Sequence, residues 1–211
     1  MPSLADIERI LRLSPVMPVV VIEEPALAPD LARALLRGGL RVIEVTLRTP
    51  AALDAIEAIA RAVPDIAVGA GTVLKVEELR AAANAGATFA ISPGATPELL
   101  EAGVHAPIPY LPAVASASEL MQGLAHGYHC FKFFPAGPAG GPAMLKAFAG
   151  PFPQARFCPT GGITPETVGT YLKLPNVLCA GGSWLAPADA LAARDWQRIE
   201  SLAATAAAAR T

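Results

Sequence analysis

Charge, cysteine and histidine are all scarce in this chain. Only 16% of its 211 residues are charged, and 16 Lys and Arg against 18 Asp and Glu leave a net charge of −2. No basic run exists, which argues against a nucleic-acid partner. There are three cysteines, Cys130, Cys158 and Cys179. None pairs at CxxC spacing and each lies in an apolar, strand-like run, so buried thiols are expected rather than a disulfide framework or a zinc site. His105, His126 and His129 show no ligand spacing, and His105 and His126 fall near helix ends, where the dipole favours them. No metal and no cofactor are expected. Apolar runs such as VMPVVVI are far too short to span a membrane. The opening MPSLADIERI lacks the basic start and apolar block of a signal peptide. A cytoplasmic protein without membrane contact is therefore the expectation.

The chain is nevertheless 53% hydrophobic, enough to build one domain over residues 1–211. Short apolar strands alternate with amphipathic helical stretches. The strands are read at 18–22, 40–46, 66–71, 88–92, 108–112, 129–134, 156–160 and 177–182. Thr49-Pro50, Thr96-Pro97 and Thr164-Pro165 each place a good N-cap before a proline at the first helical position. Ser116 and Glu119 have capping-box spacing. Gly38, Gly86, Gly103 and Gly127 follow helical stretches, where glycine closes a helix well. One helix (Ser3–Leu13) precedes the first strand and another (Asp195–Ala208) ends the chain. Eight strands alternating with helices predict a (β/α)8 TIM barrel with an additional N-terminal helix. An open doubly wound sheet is the alternative, and the missing GxGxxG after the first strand weakens its dinucleotide-binding form.

Polar residues collect at one end of these strands. Glu44 lies near the end of the second strand and Arg48 just after it; Thr72, Pro93, Lys132, Thr160 and Ser183 lie at or just after the ends of others. In the strand around Lys132, alternation puts Cys130, Lys132 and Phe134 on one face and Phe131 and Phe133 on the other. Glu44, Thr46 and Arg48 likewise share a face if that strand stays regular. Gly161-Gly162 and Gly181-Gly182-Ser183 let backbone N–H groups approach a ligand, at the loops that bind phosphate in barrels of this type. Each feature also has a plainer reading. Lys132 suits a snorkelling surface residue, Glu44 an ion pair with Arg48 or Arg41, Thr72 a backbone partner, and each glycine pair a tight turn. The plainer readings do not account for all of these falling at one strand end.

The set has a coherent chemistry. Burial disfavours the charged form of an amine, and a neutral amine attacks a ketone to give a Schiff base. The iminium then accepts electrons when a neighbouring carbon–carbon bond breaks. A carboxylate moves the protons, an arginine holds a substrate carboxylate, and glycine loops hold a phosphate. The residues thus point to a class I aldolase acting on a phosphorylated 2-oxo acid.

With these residues placed, the chain resembles the bacterial 2-keto-3-deoxy-6-phosphogluconate (KDPG) and 4-hydroxy-2-oxoglutarate (KHG) aldolases. The likeness is densest in RVIEVTLRT, VGAGTVL, FAISPG, FKFFPA, RFCPTGGI and VLCAGGSWL. It implies a homotrimeric enzyme of the Entner–Doudoroff pathway. Such an enzyme cleaves 2-dehydro-3-deoxy-6-phosphogluconate to pyruvate and glyceraldehyde 3-phosphate, and often also KHG to pyruvate and glyoxylate. The resemblance makes Lys132 the Schiff-base lysine and Glu44 the acid–base residue. It makes Arg48 and Thr72 binders of the pyruvate end, Pro93, Phe134 and Thr160 pocket residues, and Gly161, Gly162 and Ser183 the phosphate cradle. The chain departs from the family pattern at Ala113, Ser116 and Gly137, where many members carry glycine, threonine and glutamate. Two other readings use the same residues: a phosphosugar isomerase or epimerase with Glu44 as base, and a non-catalytic phosphate-ligand-binding barrel.

Overall fold

The computed structural model describes residues 4–210. Strands and helices alternate along it as expected. Helix α1 spans Leu4–Leu11, and the expected first residue of this helix, Ser3, lies outside the described residues. There follow β1 (Val16–Val20), α2 (Ala28–Arg37), β2 (Val42–Thr46), α3 (Ala52–Ala62), β3 (Ala67–Gly71) and α4 (Val76–Asn84). The middle holds β4 (Phe89–Ile91), α5 (Pro97–Val104), β5 (Tyr110–Leu111), β6 (Ala113–Val114), α6 (Ala117–Ala125) and β7 (Cys130–Phe133). The chain ends with α7 (Gly141–Ala149), β8 (Arg156–Pro159), α8 (Val168–Leu172), β9 (Ala180–Gly182), α9 (Ala188–Ala192) and α10 (Trp196–Ala207).

The expected closed (β/α)8 TIM barrel is not what these strands form. They make two parallel sheets, one of six strands in the order β5-β4-β3-β2-β1-β9 and one of three in the order β6-β7-β8. One break falls at the last residue of the predicted fifth strand (108–112). Pro112 has no N–H to give to a ladder, and it separates β5, which pairs with β4, from β6, a strand beyond the predicted one that pairs with β7. At the other junction, β8 and β9 are joined through the isolated bridges Phe157↔Val177 and Thr160↔Gly181 and not by a regular ladder. The ladder is therefore open, and the class is parallel α/β with two sheets.

Both sheets still bury a common interior. Met17, Val42, Phe89, Ile91, Leu111, Cys130 and Cys158 form one cluster, and Ile7, Ile10 and Leu11 of α1 pack into it. The N-terminal helix thus covers an interior that the strands leave apolar. The opposite strand faces meet the helices. Phe131 and Phe133 lie there, as alternation predicts; Phe131 packs on Phe157, and Phe133 packs edge-to-face on Phe148 of α7.

Local signals vary in how well they mark ends. Thr96 caps α5 by accepting from the Leu99 N–H at 3.2 Å, and Ser116 and Glu119 form the expected capping box. Thr49 instead donates to the Ile22 carbonyl at 2.6 Å, and α3 begins after Ala51. Thr164 starts a turn, and α8 begins only at Val168. Gly103 lies within α5 rather than after it. Its hydrogen side chain leaves room for Tyr110 and Tyr128, since a Cβ there would fall 2.2 Å from the Tyr110 ring. Strand β1 begins two residues earlier than its apolar run suggests, because its register with β9 starts at Val16↔Ala180. Among the described residues no helix is long and apolar enough to cross a membrane.

Burial raises all three tyrosine phenols, Tyr110, Tyr128 and Tyr171, above their ordinary value. The folded chain therefore keeps protons that an unfolded chain loses above about pH 10. The stability linked to these groups is undiminished below that pH and falls as pH rises beyond it. Absorbance at 295 nm should show tyrosine ionisation delayed past the unfolded midpoint and coincident with loss of circular dichroism.

Candidate active site

Lys132 is the third residue of β7, and its backbone N–H donates to the Pro112 carbonyl at 2.9 Å. In register it sits between Ala113 of β6 and Cys158 of β8, small side chains on the same face. Neither neighbour offers a charge, and the lysine is only 5% exposed. Its Nζ donates to Glu44 Oε1 at 3.0 Å. Glu44 is the third residue of β2 and is 1% exposed. The two come from different sheets, 88 positions apart. The Phe134 ring lies beneath the amine, with its centroid 5.5 Å from Nζ, within the range of a cation–π contact.

Arg48 and Thr72 form a second, more open group. Arg48 Nε donates to Thr72 Oγ1 at 3.2 Å. Thr72 follows β3 with φ 59°, in the left-handed region that side chains seldom enter. Its neighbours hold it there: Leu47 N–H donates to the Gly71 carbonyl and Val73 N–H to the Ile91 carbonyl. The guanidinium itself is exposed. Glu44 pairs with Lys132, not with Arg48 or Arg41.

A third group gathers after β7 and β8. Thr160, 7% exposed, receives the Ala136 N–H on its carbonyl at 2.8 Å, and Gly137 N–H donates to the Gly161 carbonyl at 2.9 Å. The two loops are thus stitched together. Gly161 and Gly162 have φ 99° and 74°, a conformation natural only to glycine. Gly161 lies against Phe134, which links this loop to the Lys132 contact. Pro93, half-buried after β4, and Ser183, exposed after β9, stand at the same end of their strands as the others.

The structure therefore brings Lys132, Glu44 and Phe134 together, joins Arg48 to Thr72, and packs Thr160 and Gly161 on the Lys132 side. Of the departures, Ala113 is the register neighbour of Lys132, Ser116 caps α6, and Gly137 faces Gly162. Sequence reasoning missed the support beneath. Thr46 is fully buried and donates to the Val20 carbonyl at 3.0 Å. Ser92 is hydrogen-bonded to the Tyr110 hydroxyl under Pro93. A hydroxyl at the end of an apolar strand was the one signal for Ser92; nothing local pointed to its tyrosine partner. A cavity of about 270 Å³ lies at the end of β1, between Ile22, Leu31 and Leu191. None of the residues above lines it.

The arrangement suits nucleophilic catalysis. A buried amine lies within hydrogen-bond reach of a carboxylate that can exchange protons with it, beside an aromatic face.

The sequence matches the model of the aldolase family described as KDPG and KHG aldolase over residues 7–202. It is 57% identical to the 2-dehydro-3-deoxy-phosphogluconate aldolase of Pseudoalteromonas atlantica, over 92% of this chain and 90% of that protein. Among solved structures it is similar to the KDPG aldolase of Legionella pneumophila with pyruvate captured as a covalent carbinolamine intermediate. That likeness has 51% identity and a TM-score of 0.93, covering 95% of this chain and 98% of that one. It is also similar to the Zymomonas mobilis enzyme with 3-phosphoglycerate, with 50% identity and a TM-score of 0.93, covering 98% and 97%.

Cys158 beside Lys132 and Cys130 below it are both buried, and burial pushes the Cys130 thiol up to about 12. The reactive species is the thiolate. Iodoacetamide at pH 8 should leave both residues unmodified in the native protein and alkylate both after denaturation, as read by peptide mass mapping.

Proposed function

This chain belongs to the KDPG and KHG aldolase family, and we propose that Lys132 is its Schiff-base lysine and Glu44 its acid–base residue. It is a class I aldolase (a carbon–carbon lyase) that cleaves 2-dehydro-3-deoxy-6-phosphogluconate to pyruvate and glyceraldehyde 3-phosphate. The observation that carries the assignment of roles is the buried Lys132–Glu44 contact at 3.0 Å.

The steps follow from that contact. Glu44 takes a proton from the ammonium, and the neutral Lys132 amine attacks the C2 ketone. The new N–C bond gives a carbinolamine. Glu44 returns a proton to its hydroxyl, water leaves, and an iminium remains. Glu44, again a carboxylate, takes the C4 hydroxyl proton as the aldehyde carbonyl forms. The C3–C4 bond breaks and its electron pair flows into the iminium, which becomes an enamine. Glyceraldehyde 3-phosphate departs. Protonation at C3 by the same carboxyl gives the pyruvate iminium, and water releases pyruvate and the free lysine. Phe134 shields the amine from water, which keeps the carboxylate and amine electrostatically coupled.

Arg48, steadied by Thr72, would hold the substrate carboxylate, with Pro93, Phe134 and Thr160 shaping the pocket. Backbone N–H groups around Gly161, Gly162 and Ser183 would hold the phosphate. KHG needs the same chemistry at its 2-oxo end and releases glyoxylate, so cleavage of KHG belongs to this reading. So do a homotrimeric assembly and the cytoplasm, which rest on family resemblance; light scattering checks the first.

Borohydride added with pyruvate should reduce the imine and fix a stable adduct on the peptide containing Lys132; an unmodified lysine there would overturn the assignment. Glu44→Gln should keep the fold and lose activity by about 10²–10⁴-fold. Arg48→Ala should act differently, raising KM for the 2-oxo acid while leaving the trapped adduct on Lys132.

A further inference from the structure

Glu44 has a neighbour that makes its position possible. On β3, Gly69 and Gly71 face the same side as Glu44 on β2, in the register Glu44↔Gly69 and Thr46↔Gly71. A Cβ built on Gly69 would fall 2.2 Å from the Phe89 ring, so that notch is filled by an aromatic from β4. A Cβ on Gly71 would fall 2.1 Å from Glu44 Oε1, 2.6 Å from its Cγ and 2.7 Å from its Cδ. The three nearest atoms all belong to one side chain, and Oε1 is the oxygen that receives the Lys132 amine.

Nothing else at this position calls for glycine. Gly71 is the last residue of an ordinary strand, and its φ is not in the left-handed region. The residue that does adopt a positive φ is the next one, Thr72, which has a side chain. Nor can Glu44 give way outward, since it is 1% exposed and Phe89 blocks the notch below it. The carboxylate therefore lies in a slot whose far wall is the bare backbone of Gly71. A single methyl in that slot would overlap the Glu44 side chain, with Oε1, the oxygen bonded to the amine, the first atom it meets.

We propose that Gly71 is a positioning residue for the aldolase reaction: by lacking a side chain, it holds the Glu44 carboxylate against the Lys132 amine. This rests on the reading of Glu44 as the acid–base residue. Gly71 itself need touch no substrate. Displacing a catalytic group by about 1 Å costs on the order of 10²-fold in rate. The loss should fall on the proton-transfer steps and not on the affinity for the 2-oxo acid, whose carboxylate is held elsewhere.

The test is Gly71→Ala, alone and combined with Glu44→Ala. In the wild-type background, Gly71→Ala should lower kcat by about 100-fold while KM moves by less than about threefold. It should also slow, by a similar factor, the exchange of pyruvate methyl protons in D₂O, a step that needs both the imine and the base. Borohydride with pyruvate should still label Lys132 to completion, only more slowly. In the Glu44→Ala background the slot is empty and the added methyl fits. There Gly71→Ala should change neither the residual proton exchange nor the urea midpoint. This second comparison decides the matter even if the single variant does not fold. The proposal is overturned if Gly71→Ala keeps kcat within threefold of wild type, or if it costs as much without Glu44 as with it. Full activity of Glu44→Ala alone would instead strike the acid–base reading. The stability half of the comparison would then still report whether the two side chains share one space.

Discussion

Two ionisable groups held 3.0 Å apart and sealed from water impose demands on everything around them. Desolvating either costs several kcal/mol, and the mutual attraction offsets this only if the geometry is close. The strands meet the demand by subtraction. Ala113 and Cys158 flank Lys132 with small side chains, and Gly71 leaves the space that Glu44 fills. Phe134 covers the amine, with its ring centroid 5.5 Å from Nζ. The same contact that makes the pair costly to bury puts an amine and a carboxylate within proton-transfer distance of each other.

Supporting a pair drawn from two separate sheets falls to the interior cluster below it. Helix α1 inserts Ile7, Ile10 and Leu11 among Met17, Phe89, Cys130 and Cys158, which come from strands of both sheets. Phe131 and Phe133 turn the other way and join the aromatic contacts around Phe148 and Phe157. One four-residue strand thus contributes its alternate residues to packing and to chemistry, and rigid packing on one face fixes the direction of Lys132 on the other. The exposed part of the site is built differently. Arg48 and Thr72, and the turns at Gly161 and Gly162, lie on loops and depend on backbone hydrogen bonds between neighbouring loops. That division suits an enzyme whose covalent chemistry needs a fixed amine, while its substrate must enter and leave.

Much of this could be read from the chain before any coordinate. Alternation placed Lys132 and Phe134 on one face with Cys130, and the strand-end position of Glu44, Thr72 and Gly161 marked one edge of the molecule. Failures were of two kinds. Caps such as Thr49 and Thr164 found other hydrogen-bond partners, the Ile22 carbonyl and the Thr167 hydroxyl, because a threonine hydroxyl bonds whichever polar group the fold brings near it. The closed barrel failed because strand counting cannot see pairing. Pro112 lay in plain view, but whether its missing N–H ends a ladder depends on which neighbour that strand seeks.

The sequence by itself determined the element order, the faces of the strands and the chemical type of the site, since each follows from residue spacing and side-chain chemistry along the chain. Only the tertiary structure decided that the strands form two open sheets, that Glu44 meets Lys132 and not Arg48, and that the Glu44 side chain lies against the bare backbone of Gly71. Those are facts about distances between strands remote in sequence. Register and packing set such distances, and no local pattern contains them.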